Sequence, residues 1–221
     1  MMDNIITLFQ KRFKTLSLLT LSLSFCIALL VIRMKITQTM YFRFLIWNLF
    51  LAIVPYAITT YLVSLKKIRL IKLVVYFIIW LLFLPNAPYI ITDLLHLKVS
   101  SSSMLWLDVL MISFFAINGL LLFYLSLLDF KAIVEQHLNT TTTHIIIIIV
   151  LLLTSFGMYL GRFLRYNSWE ILSNINHLFT DIINILLLPK QHYNAWLFTI
   201  CFGFALNIGY VVFKNIKTDI K

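Results

Sequence analysis

An aspartate and a histidine stand close together directly after two prolines that interrupt a long apolar run. The segment is residues 84–97, LPNAPYIITDLLHL. Tyr89, Asp93 and His96 are spaced by four and then three residues, so a short helix after the prolines would place all three on one face. A carboxylate beside an imidazole is suited to general acid or base chemistry. The spacing therefore predicts a polar site here, with Asp93 and His96 as the candidate catalytic groups.

A second segment carries the charges that would complement such a site. It is residues 161–169, GRFLRYNSW, in which Arg162 and Arg165 are three residues apart and share a helical face. Two guanidinium groups on one face can hold a phosphate or a carboxylate. Together the two segments favour a site for an anionic group.

The composition indicates the environment of both segments. Of 221 residues, 62% are hydrophobic and only 12% charged, and the mean hydropathy is +0.97, a balance typical of a membrane protein. The formal net charge of +10 comes from short Lys and Arg groups between apolar blocks, which argues against nucleic acid as a partner. We therefore predict one all-α, multi-pass membrane domain over residues 1–221, with membrane lipids as partners.

Six membrane spans are expected, at residues 16–32, 44–65, 70–92, 104–128, 145–160 and 196–213. The third is unusual because its twelve apolar residues from Leu73 to Leu84 make only about 18 Å of helix, too short for a hydrocarbon core of about 30 Å. This span must continue through Pro85 and Pro88, so we expect it to be broken within the membrane. Residues 168–188, with an apolar and a polar face, predict an interfacial helix.

The distribution of Lys and Arg predicts the orientation. With the amino terminus inside, eleven of these residues fall on the inner side and seven on the outer side, which favours cytoplasmic termini in the cell membrane. Both segments then lie at the outer boundary. The predicted ligand-binding residues are Asn86, Tyr89, Asp93, His96, Asp108, Arg162, Arg165, Asn167 and Trp169.

Several functions fit this pattern. The site could bind an anionic or phosphorylated lipid-type ligand, with or without catalysis. The broken span could instead belong to a small-solute or ion transporter. The protein could also be a non-catalytic assembly or scaffold subunit, in which Asp93 and Asp108 pair with Arg162 and Arg165 only to hold the fold.

Cofactors and metals are not predicted. The sequence has no nucleotide-binding loop or other familiar cofactor motif, and its two cysteines, Cys26 and Cys201, lie within apolar runs. Asp93 with His96, and likewise His177 with Asp181, could each offer two metal ligands. Two-residue matches are common by chance, so they do not predict a metal site.

The segments at 84–97 and 161–169, in this order, resemble those of a bacterial integral-membrane family, domain of unknown function 1361. The resemblance extends over most of the chain from about Phe42. The region from Arg43 to Pro55 is similar to the family's Arg-x-x-x-x-Asn segment, which adds Asn48 as a lesser candidate. The resemblance implies a bacterial multi-pass inner-membrane protein and carries over no activity.

Overall fold

The computed structural model describes residues 2–65, 68–100, 102–166 and 175–219, and all regular secondary structure in these ranges is helical. A 3₁₀ turn at Tyr41–Arg43 precedes the second helix, and a 3₁₀ segment at Ile90–Val99 follows the fourth. The helices are α1 (Met2–Thr37), α2 (Phe44–Ser64), α3 (Leu70–Phe83), α4 (Asn86–Tyr89), α5 (Leu105–Val134), α6 (Thr140–Phe163), α7 (Ile175–Leu187) and α8 (Tyr193–Asp219).

Within the described residues, six helical segments are long and apolar enough to cross a membrane, as the sequence predicts. They are Ile6–Thr37, Tyr41–Ser64, Leu70–Val99, Leu105–Val134, Thr140–Phe163 and Tyr193–Lys217. Most run beyond their predicted bounds, because the helices continue into their polar flanks. For example, α6 begins at Thr140, where the Asn139 side chain accepts a hydrogen bond from the Thr142 amide at 2.8 Å and caps the helix.

The amphipathic helix α7 has 13 described residues and a length of roughly 20 Å, too short to cross a bilayer core. It ends just before Pro189, as expected from the loss of a backbone donor. The start of the predicted interfacial helix, at 168–174, lies outside the described residues.

The chain divides into two compact units, Met1–Ile133 and Val134–Lys221. In the first unit, α5 is the central helix, since 61% of the residues in its apolar 18-residue stretch are buried. Among the described residues, two ion pairs join α5 to α1. Arg12 donates to both oxygens of Asp129 at 2.6 and 2.8 Å, and Arg33 donates to both oxygens of Asp108 at 2.8 and 3.3 Å.

These pairs show that α1 and α5 run antiparallel. Arg12 and Arg33 are 21 residues apart, as are Asp108 and Asp129. At 1.5 Å per residue this spacing is roughly 31 Å, close to the thickness of a bilayer core. The two arginines on α1 are therefore separated by about the thickness of a bilayer core, and so are the two aspartates on α5. Each arginine is neutralised by an aspartate of the neighbouring helix.

The expected break in the third span is present, and it is mild. Leu84 and Pro85 keep right-handed helical torsion angles, so the segment changes from α-helix to 3₁₀-helix without a sharp turn. The Asn86 side chain donates a hydrogen bond to the carbonyl oxygen of Phe83 at 2.9 Å. This side-chain donor lies near the position where proline removes a backbone N–H donor from the helix.

A glycine packs directly against this break. A Cβ atom built on Gly119 of α5 would lie 2.3 Å from the carbonyl oxygen of Ala87 and 3.2 Å from the side chain of Ile90. Leu84, Ala87 and Ile90 are fully buried. At the break, the backbones of α5 and of the third span are therefore in close contact, which small residues permit between helices in membranes.

In the second unit, α6 packs along α8. The buried face of α8 consists of Ala195, Thr199, Gly203, Leu206 and Tyr210. The indole of Trp196 donates to the carbonyl of Ile185 at 3.0 Å and thereby ties α8 to α7.

Candidate functional site

Asp93 is a buried carboxylate just beyond the break, and only 1% of its surface is exposed. The Asn48 side chain on α2 donates to Asp93 Oδ2 at 2.8 Å. On the other side, His96 Nε2 lies 3.9 Å from Asp93 Oδ1, which is too long for a hydrogen bond and within ion-pair range when the imidazole is protonated. The 3₁₀ segment and α2 thus hold the carboxylate between an amide and an imidazole.

His96 connects this carboxylate to an exposed tyrosine. Tyr41 Oη lies 3.1 Å from His96 Nδ1, and the ring of Phe44 lies 4.8 Å from the imidazole, centroid to centroid. The His96 side chain is 32% exposed. Since Tyr41 is also exposed, the polar chain from Asp93 through His96 to Tyr41 leads from the protein interior to its surface.

Tyr41 also belongs to an open groove, here called the Arg43 groove. Its volume is about 660 Å³, within the range of sites that hold small molecules. Trp47 and Phe50 stack at 5.5 Å in its wall and are more than half exposed. The groove is lined by Tyr41, Arg43, Phe44, Ile46, Trp47 and Phe50.

The structure brings together some of the predicted site residues of the first unit. Asp93 and His96 are neighbours, as their spacing predicts. Asp108 is fully buried, and beyond its pair with Arg33 it accepts a hydrogen bond from Ser100 at 2.6 Å, so a structural role is the better interpretation of this carboxylate. The Asn86 side chain hydrogen-bonds to the backbone at the break in the third span, and Tyr89 is half-buried.

The second predicted segment, residues 161–169 with its two arginines, belongs to the second unit. Arg162 is half-buried in the last turn of α6, and Arg165 is exposed just beyond it. Arg165 has a φ of 62°, and the following amide of Tyr166 donates to the carbonyl of Leu160 at 3.2 Å.

Two further predicted residues, Asn167 and Trp169, lie outside the described residues. His177 is exposed, while Asp181 accepts a hydrogen bond from the Tyr166 hydroxyl at 2.7 Å.

The left-handed backbone of Arg165 leads to a prediction. A side chain with a Cβ is strained there and glycine is not, so Arg165→Gly is expected to be more stable than Arg165→Ala by about 1 kcal/mol. Both variants lose the same charge, and the difference between them isolates the backbone. Thermal unfolding of the purified variants in detergent measures it. Equal or reversed stabilities would show that Arg165 does not adopt this conformation.

Comparison with known proteins identifies a family to which the chain is similar. A family model described as "Protein of unknown function (DUF1361)" matches residues 47–208, which is more than half of the chain. The protein belongs to the DUF1361 family. This confirms the resemblance carried by the two segments, which both lie in the matched range. No curated protein and no solved structure matches the chain.

Within this DUF1361 protein, sequence reasoning missed two residues of interest. Arg33 ends an apolar run, and in the sequence it is only one of the Lys and Arg residues whose distribution predicts the orientation. Tyr41 stands in the aromatic cluster before α2, where an anchoring role in the membrane interface is the ordinary expectation. Tyr41 and Arg43 precede the range that the DUF1361 model matches, whereas Asn48, Asp93 and His96 lie within it.

Proposed function

We propose that this multi-pass DUF1361 membrane protein binds an anionic, lipid-type ligand in the Arg43 groove. The observation that carries the proposal is an exposed arginine at the end of a membrane span, beside an open aromatic groove and a chain of polar side chains. Such a surface matches an amphiphile, because its charged and apolar parts are adjacent.

The head group would meet Arg43 and Tyr41. Arg43 is exposed and makes no hydrogen bond or ion pair with other described side chains, so its guanidinium is available to a phosphate or carboxylate. The Tyr41 hydroxyl and the partly exposed imidazole of His96 add polar groups within the same neighbourhood. With cytoplasmic termini, as the Lys and Arg distribution favours, this head-group region lies on the outer side of the membrane.

The apolar part of the ligand would follow α2. Trp47 and Phe50 are one helical turn apart and present a stacked aromatic surface below Arg43. An acyl or isoprenoid chain against these rings would remain in contact with the bilayer, so no enclosed pocket is needed.

The experiment uses Trp47 as the reporter. Lipids with brominated acyl chains quench nearby tryptophans, and the Trp47→Phe variant identifies the share of quenching that arises in the groove. In nanodiscs, brominated phosphatidylglycerol is expected to quench the Trp47 component more strongly than brominated phosphatidylcholine. Arg43→Gln should reduce this preference about 10- to 15-fold, as expected for the loss of one charge-assisted contact of about 1.5 kcal/mol.

Lys35→Gln is the matched control. Lys35 is also an exposed cation, it lies in the last turn of α1 at the same end of the spans as Arg43, and its removal changes the net charge equally. General attraction of anionic lipid to a basic surface would make both variants lose the preference to the same extent. That result, or no preference in the native protein, would contradict the proposal.

Transport gains no support from the break in the third span. The contact of Gly119 with Ala87 leaves no room for even a methyl group at that point. The broken span is better understood there as a packed kink than as a path for ions.

A further inference from the structure

The surroundings of His96 indicate which of its nitrogens carries the proton. Nε2 lies 3.9 Å from Asp93 Oδ1, and the negative charge of an ionised carboxylate at this distance favours the neutral ring that carries its hydrogen on Nε2. Nδ1 then presents a lone pair to Tyr41 Oη at 3.1 Å. In this arrangement the tyrosine hydroxyl donates to the imidazole.

Tyr41 is the exposed end of this chain. Tyr41 is 43% exposed and lines the Arg43 groove, whereas Asp93 is buried and accepts a hydrogen bond from Asn48. A hydroxyl bonded to a base, with a third group orienting that base, is the arrangement by which proteins activate weak nucleophiles.

We propose that Tyr41 is a catalytic nucleophile, with His96 as its general base and Asp93 and Asn48 as positioning residues. His96 takes the proton from Tyr41 Oη as the oxygen attacks. Asp93 stabilises the imidazolium that forms, because its carboxylate lies at ion-pair distance from Nε2.

The substrate class rests on the proposed function of the groove and is a lipid phosphate ester or anhydride. Tyr41 Oη would form a bond to phosphorus while the bond from phosphorus to the leaving oxygen breaks. The proton held by His96 passes to that leaving oxygen. An acceptor hydroxyl then attacks the phosphotyrosine, and its proton returns through His96 to Tyr41, so no other reactant is required.

The nucleophile can be tested with an uncharged aryl sulfonyl fluoride. Tyr41 Oη attacks sulfur, the sulfur–fluorine bond breaks, fluoride leaves, and the proton goes to His96. We expect an adduct at Tyr41, located by peptide mass spectrometry, that forms on the order of 100-fold faster than at Tyr193, a more exposed tyrosine whose hydroxyl has no such base among the described residues. His96→Gln should remove most of this advantage, and Asp93→Asn should remove a smaller part.

Several controls separate a chemical role from a structural one. Tyr41→Phe must abolish the adduct, and each variant is compared only after its elution and thermal unfolding in detergent match the native protein. If a variant at Asp93 does not fold, Asn48→Ala tests the positioning role instead, with a slower rate at Tyr41 expected. Labelling of Tyr41 no faster than Tyr193, or unchanged by His96→Gln, overturns the proposal.

The two proposals can fail independently. The sulfonyl fluoride carries no charge, so its reaction with Tyr41 does not depend on anion binding at Arg43. Rapid labelling of Tyr41 without stronger quenching of Trp47 by anionic lipid would support the nucleophile and contradict the ligand class. Stronger quenching by anionic lipid with an unreactive Tyr41 would support a binding site without catalysis.

Discussion

Replacing Arg33 with methionine is expected to lower the free energy of unfolding by about 3–5 kcal/mol, because it leaves the carboxylate of Asp108 buried without its counter-charge. Asp108 is fully buried, and Arg33 is only 7% exposed. The Ser100 hydroxyl remains as a donor to Asp108, but one hydrogen bond from an uncharged donor compensates only part of the cost of burying the carboxylate charge. Unfolding in mixed detergent micelles, followed by circular dichroism, measures the change.

A double-mutant cycle shows whether the loss comes from the charge pair. Asp108→Asn alone leaves Arg33 buried and charged, and the double variant leaves two neutral side chains. The double variant is expected to be more stable than the sum of the single effects implies, by about 1–3 kcal/mol. Lys35→Met, at an exposed site near the same end of α1, is the control and should change little. Additive single effects would show that the pair is not coupled.

Gly119→Ala is expected to destabilise the protein by about 3 kcal/mol, since overpacking a well-packed interior costs about 1–3 kcal/mol even where side chains can adjust. Here the new methyl group would meet the carbonyl oxygen of Ala87 at 2.3 Å. A backbone atom cannot rotate away, so α5 and the broken third span must separate. The loss should be visible as lower yield of monodisperse protein and a lower unfolding temperature in detergent.

Gly203→Ala provides the matched control. Its methyl group would also lie close to a neighbour, 2.7 Å from Leu152 Cδ2, but that atom ends a flexible side chain that is 39% exposed. A change of rotamer relieves the contact, so the cost should stay below about 1 kcal/mol. If the two alanine variants were equally stable, the break would not depend on a close backbone contact at Gly119.

Much of the fold could be predicted because it depends on local properties. Hydropathy and the thickness of the bilayer determine six spans, and the prolines at 85 and 88 determine where the third is broken. The ends of the helices were less predictable. Helix α5 reaches Val134, and α6 begins at Thr140, because polar residues extend helices whose direction the apolar core has already established.

The candidate site was only partly predictable. Asp93 and His96 share a face because they are near in sequence, and this relation follows from helix geometry alone. Their neighbours come from distant segments, since Tyr41 is 55 residues from His96 and Asn48 is 45 residues from Asp93. Asp108 pairs within its own unit with Arg33, 75 residues away, a partner that its sequence neighbourhood does not indicate.

The sequence by itself determined that this is a multi-pass helical membrane protein with a broken third span and a carboxylate beside an imidazole. These features follow from composition, periodicity and spacing, which act over one helix at a time. Only the tertiary structure decided which charges neutralise one another, that Gly119 packs against the break, and that the polar chain ends at Tyr41. The reason is physical: the partner of a buried polar group depends on how helices pack, and one sequence pattern allows many pairings.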